Sequence, residues 1–262
     1  MDLKLAGKRA LVLAASRGLG FATAMGLARE GVSLVICSRD AGRIDDAAAK
    51  IRAATGARVE ALAADVSSGE EAARLVAHAV STLGGLDIVV HNAGGPPSGP
   101  FLSITDPQWH QAFEQNLMSF IRLVQAAVPE LKKAGGGRIL TIASSSIKQP
   151  VPGLVTSNTL RAGVWGLAKT LARELGPDNI LVNVVAPGRI QTERIDELDQ
   201  ANAGRRGVDV QQVRRESVAA IPLGRIGTPE EFASLLVFLA SDAARYISGQ
   251  AITVDGGAMT AL

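Results

Sequence analysis

Short runs of apolar residues alternate with longer stretches in which apolar side chains return every three or four positions, and this rhythm holds along most of the chain. The runs at 10–15, 33–37, 59–64, 86–90, 138–142 and 180–185 are too short for helices and too continuous for strands with one wet face, so they predict strands buried on both faces. Helices are predicted between them: after residue 20 with Phe21, Met25, Leu27 and Ala28 in the amphipathic pattern, then through Ile44, Ala48 and Ile51, over 70–83, over about 106–133 and over about 157–175. Strict alternation requires right-handed crossovers, so the predicted fold class is α/β: a doubly wound parallel sheet with helices on both faces and ligand at the carboxyl ends of the strands. The chain reads as one domain over 1–262, and the rhythm breaks only at about 189–220, a polar and charged insertion at the ligand edge that reads as a helical lid.

The chemistry begins where the first strand meets the first helix, at Ser16-Arg17-Gly18-Leu19-Gly20. The first N–H groups of a helix have no intrahelical partner and lie at the positive end of its dipole, so a glycine turn there forms a cradle for a pyrophosphate. Glycine spacing alone fits a helix-packing turn equally well. Composition excludes several other classes. There are 27 basic and 25 acidic residues, a formal net charge of +2, and the charges are dispersed, so nothing marks a nucleic-acid or membrane-surface binder. The single Cys37 sits in an apolar run and reads as a reduced core residue, and neither C-x-x-C nor paired-histidine metal spacing occurs. The opening MDLKLAGKRA lacks the apolar segment of a signal peptide and no run reads as a membrane span, so the expected location is the cytoplasm. His78 and His110 fall on helices and read as surface or packing residues.

Several stretches together resemble the short-chain dehydrogenase/reductase family, in particular its 3-oxoacyl-[acyl-carrier-protein] reductase-like members. They are SRGLG at 16–20, HNAGG at 91–95, Asn116 in the long helix, VNVVAPGRIQT at 182–192 and the tail GRIGTPEEFASLLVFLASDAARYISGQAITVDGG at 224–257. The resemblance covers essentially the whole chain. It implies a Rossmann-type fold, a nicotinamide cofactor, hydride transfer between a carbonyl and an alcohol carbon, and a homotetramer. It also implies that Asp65 and Val66 lie at the adenine, that Asn92, Ala93 and Gly94 let the cofactor approach the backbone, and that Pro187, Gly188, Ile190 and Thr192 hold the nicotinamide amide and a phosphate. Each has a plainer reading too: Asp65 as a helix cap and the other two stretches as tight turns.

Cofactor choice follows from charge after the second strand. An acidic side chain there suits the ribose 2′-OH of NAD, whereas cations suit the 2′-phosphate of NADP. Ser38 and Arg39 follow Cys37, Arg17 stands in the glycine turn, and Asp40 falls one position late, where it can cap the next helix. NADP is therefore expected over NAD. The helix with Phe232, Leu235, Leu236, Phe238 and Leu239 is apolar on more than one face and is expected at a subunit interface.

Two departures from the family pattern change the expected chemistry. Leu13-Ala14 stands where the family has Thr-Gly, and because alanine takes positive φ at a cost, the turn is expected to be built differently. Alignment of 162–175 with the family's helix puts Ser157 where its catalytic Tyr belongs and Arg161 where its Lys belongs. The only tyrosine, Tyr246, lies in the C-terminal signature and is expected to be structural. An aliphatic hydroxyl is a far weaker acid than phenol and a guanidinium stays protonated, so the pair cannot copy the usual proton shuttle. Arg161 can still hold the nicotinamide ribose or an oxyanion, Ser144 with Ser145 or Ser146 can polarise a carbonyl, and Asn116 matches the family's water-holding residue.

Three readings compete at this point. The first is an NADP-dependent oxidoreductase on a small carbonyl or alcohol substrate, or an acyl thioester, whose proton comes from water or from Lys148. The second is a silent NADP-binding sensor or partner subunit, and the third a cofactor-assisted isomerase or lyase. The pairs Arg205-Arg206 and Arg214-Arg215 suit either a phosphorylated acyl carrier or a solvated helix face.

Overall fold

In the computed structural model, which describes residues 2–261, the apolar runs become strands β1 Arg9–Val12, β2 Ser33–Ser38, β3 Val59–Ala63, β4 Ile88–His91, β5 Gly137–Ile142, β6 Ile180–Pro187 and β7 Ala251–Val254. All pair in parallel, in the order β3-β2-β1-β4-β5-β6-β7. The chain winds outward from β1 to β3, then returns to β4 on the other side of β1, which creates a switch point between β1 and β4.

The helices are α1 Gly18–Arg29, α2 Ala41–Thr55, α3 Glu71–Leu83, α4 Asp106–Phe113, α5 Ser119–Lys133, α6 Val155–Glu174, α7 Glu193–Arg206, α8 Val210–Ala219 and α9 Pro229–Ala240. Alternate strand residues feed two cores, as the two-residue period of a strand requires. Leu34 and Ile36 pack with Leu27, Ile44, Ile51, Phe232 and Leu236 on one face. Val35 and Cys37 pack with Leu75, Phe120, Leu123 and Val164 on the other. Burial pushes the Cys37 thiol up to about 12, so it is an inert core group.

One expectation changes and two are filled in. The helix foreseen over 106–133 contains a π turn at Glu114–Met118, so an extra residue bulges at Asn116. The insertion at 189–220 folds as α7 and α8, which Asp199 ties to the sheet: nearly inaccessible, it accepts from Arg189 Nη2 at 2.6 and 2.7 Å and lies 3.5 Å from Arg214 Nε. The apolar surface of α9 is largely used within its own chain, because Phe232, Leu236 and Leu239 are buried and only Leu235 and Phe238 remain half-buried. No helix among the described residues is long and apolar enough to cross a membrane.

Candidate active site

The carboxyl ends of the strands and the two insertion helices enclose a cleft of about 1200 Å³, lined by residues from almost every βα turn. At one end lies the glycine turn. Ser16, Arg17, Gly18 and Leu19 line the cleft, while Gly20 lies beneath them. A Cβ on Gly20 would stand 2.3 Å from the Ala14 carbonyl oxygen and 2.9 Å from Asn92 Nδ2, so glycine is what lets α1 pack under the turn. The N-cap residue Arg17 makes no side-chain cap, and among the described residues nothing accepts from the N–H groups of Gly18, Leu19 and Gly20. That is an anion cradle.

Ala14 overturns the expectation of a differently built turn. It adopts φ +48°, the left-handed conformation itself, held by Leu13 N–H donating to Val90 O at 3.0 Å and Ala15 N–H to Cys37 O at 2.9 Å. The ladder on either side overrides a local cost of roughly 1 kcal/mol.

Beyond β2, Ser38 and Arg39 line the cleft with Arg43, which sequence reasoning missed. Asp40 lines it too: its Oδ1 caps α2 by accepting from Arg43 N at 3.0 Å, and its Oδ2 lies 3.4 Å from Arg43 Nε. Asp65 also lines the cleft beside Val66, and its Oδ1 accepts from Ser67 N at 3.0 Å and Ser67 Oγ at 2.7 Å. It does not cap α3, whose N-cap is Glu70. Asn92, Ala93, Gly94, Pro187, Gly188, Ile190 and Thr192 complete this wall, and Asn92 Nδ2 donates to Ala14 O at 3.3 Å.

The opposite end is built on β5 and α6. Ser144, Ser157 and Arg161 all line it. Ser144 Oγ accepts from Ser146 N at 3.2 Å and so caps the short turn Ser145–Ile147, which brings Ser146 Oγ to 3.2 Å from Ser157 Oγ. Arg161 is 4% exposed. Its Nη1 donates to Ile142 O at 2.8 Å and its buried Nε has no partner among the described residues. Burial first, then the charge of Arg194, pull this guanidinium down to about 10, so it remains a cation at neutral pH.

A glycine turn with free helix amides, cations after β2, and serine hydroxyls beside a guanidinium thus face one cleft. The family model described as enoyl-(acyl carrier protein) reductase matches residues 13–259. The human dehydrogenase/reductase SDR family member 4 is 36% identical over 97% of this chain and 88% of its own length. The 3-oxoacyl-[acyl-carrier-protein] reductase of Chlamydia muridarum is 33% identical over 98% of this chain and 99% of its own. The chain belongs to the short-chain dehydrogenase/reductase family. Among solved structures, L-sorbose reductase from Gluconobacter frateurii, complexed with NADPH and L-sorbose, matches with a TM-score of 0.94 at 34% identity, covering 100% of both chains. As a member of this family the protein is an NAD(P)-dependent oxidoreductase acting on carbonyl and alcohol substrates.

Within this short-chain dehydrogenase/reductase, several residues singled out from the sequence lie away from the cleft. Asn116 is not among its lining residues; it is fully buried in the π turn, with Nδ2 donating to Ala112 O at 3.0 Å and Oδ1 unpartnered among the described residues. The neighbouring Gln115 faces the cleft instead. Lys148 does not line it either, although the next two residues, Gln149 and Pro150, do. Tyr246, expected to be structural, is fully exposed, at 101% of its reference area. One arginine of each pair is engaged within the insertion, Arg206 with Glu216 at 2.7 Å and Arg214 with Asp196 and Asp199. Arg205 and Arg215 are exposed and make no ion pair among the described residues.

Sequence reasoning missed two further features. Arg17 is ion-paired with Glu193, so the first residue of α7 is latched to the glycine turn. His91, at the end of β4, is fully buried between Thr141 Oγ1 and Ser119 Oγ, each 2.9 Å from a ring nitrogen. Burial, aided by the charge of Arg161, pushes it down to about 3 and keeps the ring neutral.

Proposed function

We propose that the protein is an NADP-dependent oxidoreductase that interconverts a carbonyl and an alcohol by hydride transfer, with serines and a guanidinium in place of the tyrosine and lysine of its family. The observation that carries this reading is that Ser144, Ser157 and Arg161 line the same cleft as the unpartnered amides of α1. Those amides suit a pyrophosphate, and Arg39, which makes no ion pair among the described residues, suits a 2′-phosphate, with Arg43 and Arg17 joining it by exchanging Asp40 and Glu193 for the phosphate. The NADPH complex of L-sorbose reductase supports the same assignment. Bound in this cleft, the nicotinamide cofactor supplies or accepts the hydride.

The residues then divide the remaining work. Asp65 and Val66 receive the adenine, Asn92, Ala93 and Gly94 flank the ribose, and Pro187, Gly188, Ile190 and Thr192 hold the carboxamide end. Ser144 and Ser157 donate hydrogen bonds to the reacting oxygen, with Ser146 steadying Ser157. Arg161 places a desolvated positive charge where negative charge develops, and solvent delivers the proton, since neither the serine hydroxyls nor the guanidinium titrates near neutral pH. The unpaired Oδ1 of Asn116 is an acceptor suited to a bridging water behind this end. Helices α7 and α8 act as the lid. The working unit is a homotetramer, which light scattering measures directly.

One observation favours the second reading, an NADP-binding protein without turnover: the reacting end offers only serine hydroxyls and a guanidinium, none of which titrates near neutral pH. The separating experiment is an NADPH-oxidation screen across ketones, quinones and acyl thioesters, run beside a fluorescence titration of NADPH. Turnover on at least one class, with NADPH preferred over NADH, is the expected result. Saturable binding with no turnover on any class establishes the second reading.

A further inference from the structure

The other buried arginine, Arg138, and the half-buried Arg189 are each met by a carboxylate. Arg138 reaches Asp242 at 3.4 Å and Arg189 holds Asp199, but among the described residues no carboxylate stands within ion-pair range of Arg161. A desolvated guanidinium normally needs a counter-ion, and a single bond to the Ile142 carbonyl is small compensation. The surroundings add none. His91 is neutral, and the nearest charged neighbour known to act on Arg161 is another cation, Arg194, which is itself engaged with Pro96 O and Glu197. With Nη1 tied to Ile142 and Nε buried out of reach, Nη2 is the donor left for a ligand.

The cofactor's own phosphates are poor candidates for that donor. They belong at β1 and β2, and β5 lies two strands away from β1, about 10 Å across the sheet. A ribose hydroxyl can accept a hydrogen bond from Nη2 but leaves the charge of Arg161 uncompensated.

We propose that Arg161 receives a carboxylate of the substrate, so that the protein acts on an oxo acid and the matching hydroxy acid rather than on a neutral ketone or a thioester. The inference rests on the reading above that the reacting carbonyl lies against Ser144 and Ser157. Ser157 and Arg161 are four residues apart on α6, so the hydroxyl and the guanidinium share one face of that helix, and both residues line the cleft.

The test is calorimetric titration of the NADP⁺-loaded protein with 3-oxobutanoate and with 3-oxobutanamide, a neutral isostere. Oxidised cofactor with an oxo compound cannot react, so binding is read apart from turnover. The acid is expected to bind at least tenfold more tightly than the amide, Arg161→Gln to abolish that preference, and Arg161→Lys, which keeps the charge without the guanidinium, to keep part of it. Equal binding of acid and amide by the wild-type protein overturns the proposal and needs no variant to fold. So does a preference that survives Arg161→Gln, and so does a variant that loses only NADP⁺ affinity, which hands Arg161 to the ribose. Binding of the acid without NADPH oxidation refutes the hydride-transfer reading and leaves the carboxylate site standing; turnover confined to neutral ketones does the reverse.

Discussion

The two ends of the cleft are built from different materials. The phosphate end, at β1 and β2, is backbone: amides at the start of α1, a left-handed Ala14, a glycine that admits no Cβ, and cations such as Arg39 that stand exposed at the rim. The reacting end, at β5 and α6, is side chain: three serines in contact and a guanidinium 4% exposed with one of its donors unmet. A rim cation is solvated and screened, so it selects among cofactors without threatening the fold. A buried cation has no water to fall back on, so its partner is part of the design.

Substitutions that break this contrast range from severe to slight. Gly20→Val is the most severe, because its Cβ meets the Ala14 carbonyl, a backbone atom that cannot step aside. NADPH binding is expected to disappear, and thermal or urea unfolding to show a loss of about 3 kcal/mol. At the reacting end, Ser144→Ala removes a donor and the cap of the 145–147 turn together; steady-state kinetics should show kcat lower by about 100-fold with cofactor affinity retained. At the rim, Arg39→Asp is expected to weaken NADPH by about 30-fold while NADH changes little, read by fluorescence titration of both cofactors. Equal loss for both cofactors would show that the ribose pocket lies elsewhere.

This contrast also accounts for what was legible in the sequence. Both-face burial makes the strands β2 and β5 readable to within a residue or two, because the apolar runs have no other use, whereas β3, equally well placed, turns out to be an edge strand with only Val59 buried. The glycine turn is readable because a backbone site leaves its mark as glycines and a strand-to-helix junction, and even there the local rule about Ala14 fails, since neighbouring ladders fix its φ. The reacting end is less legible. Spacing places Ser157 and Arg161 on one helix face, but not the absence of a carboxylate near Arg161, which depends on contacts made by β4, β5 and α7. Lys148 and Asn116 show the same limit: each is near the site in sequence, yet neither lines the cleft. The charge of α7 gave no sign that Glu193 would latch onto Arg17.

The slightest expected effect joins the two ends through His91, the last residue of the strand that leads into Asn92. Its pKa falls from 6.5 to about 3, through burial first and then the charge of Arg161. Between those values the unfolded chain binds a proton that the folded protein refuses, so stability declines as pH falls below 6.5, whereas above 6.5 both states are neutral and the residue contributes no slope. A single such group removes about 1 kcal/mol between pH 6.5 and 5.5. Urea midpoints taken at pH 7.5 and 5.5 should therefore differ more for the wild type than for His91→Gln, which keeps a hydrogen-bonding group between Thr141 and Ser119 but cannot titrate. Parallel losses in the two proteins would mean that acid sensitivity resides elsewhere. Arg161→Gln refines the same measurement: burial remains and the cation is gone, so the histidine rises part-way towards its ordinary value and the slope starts to level off at a higher pH, while Arg39→Asp at the far rim leaves it unchanged.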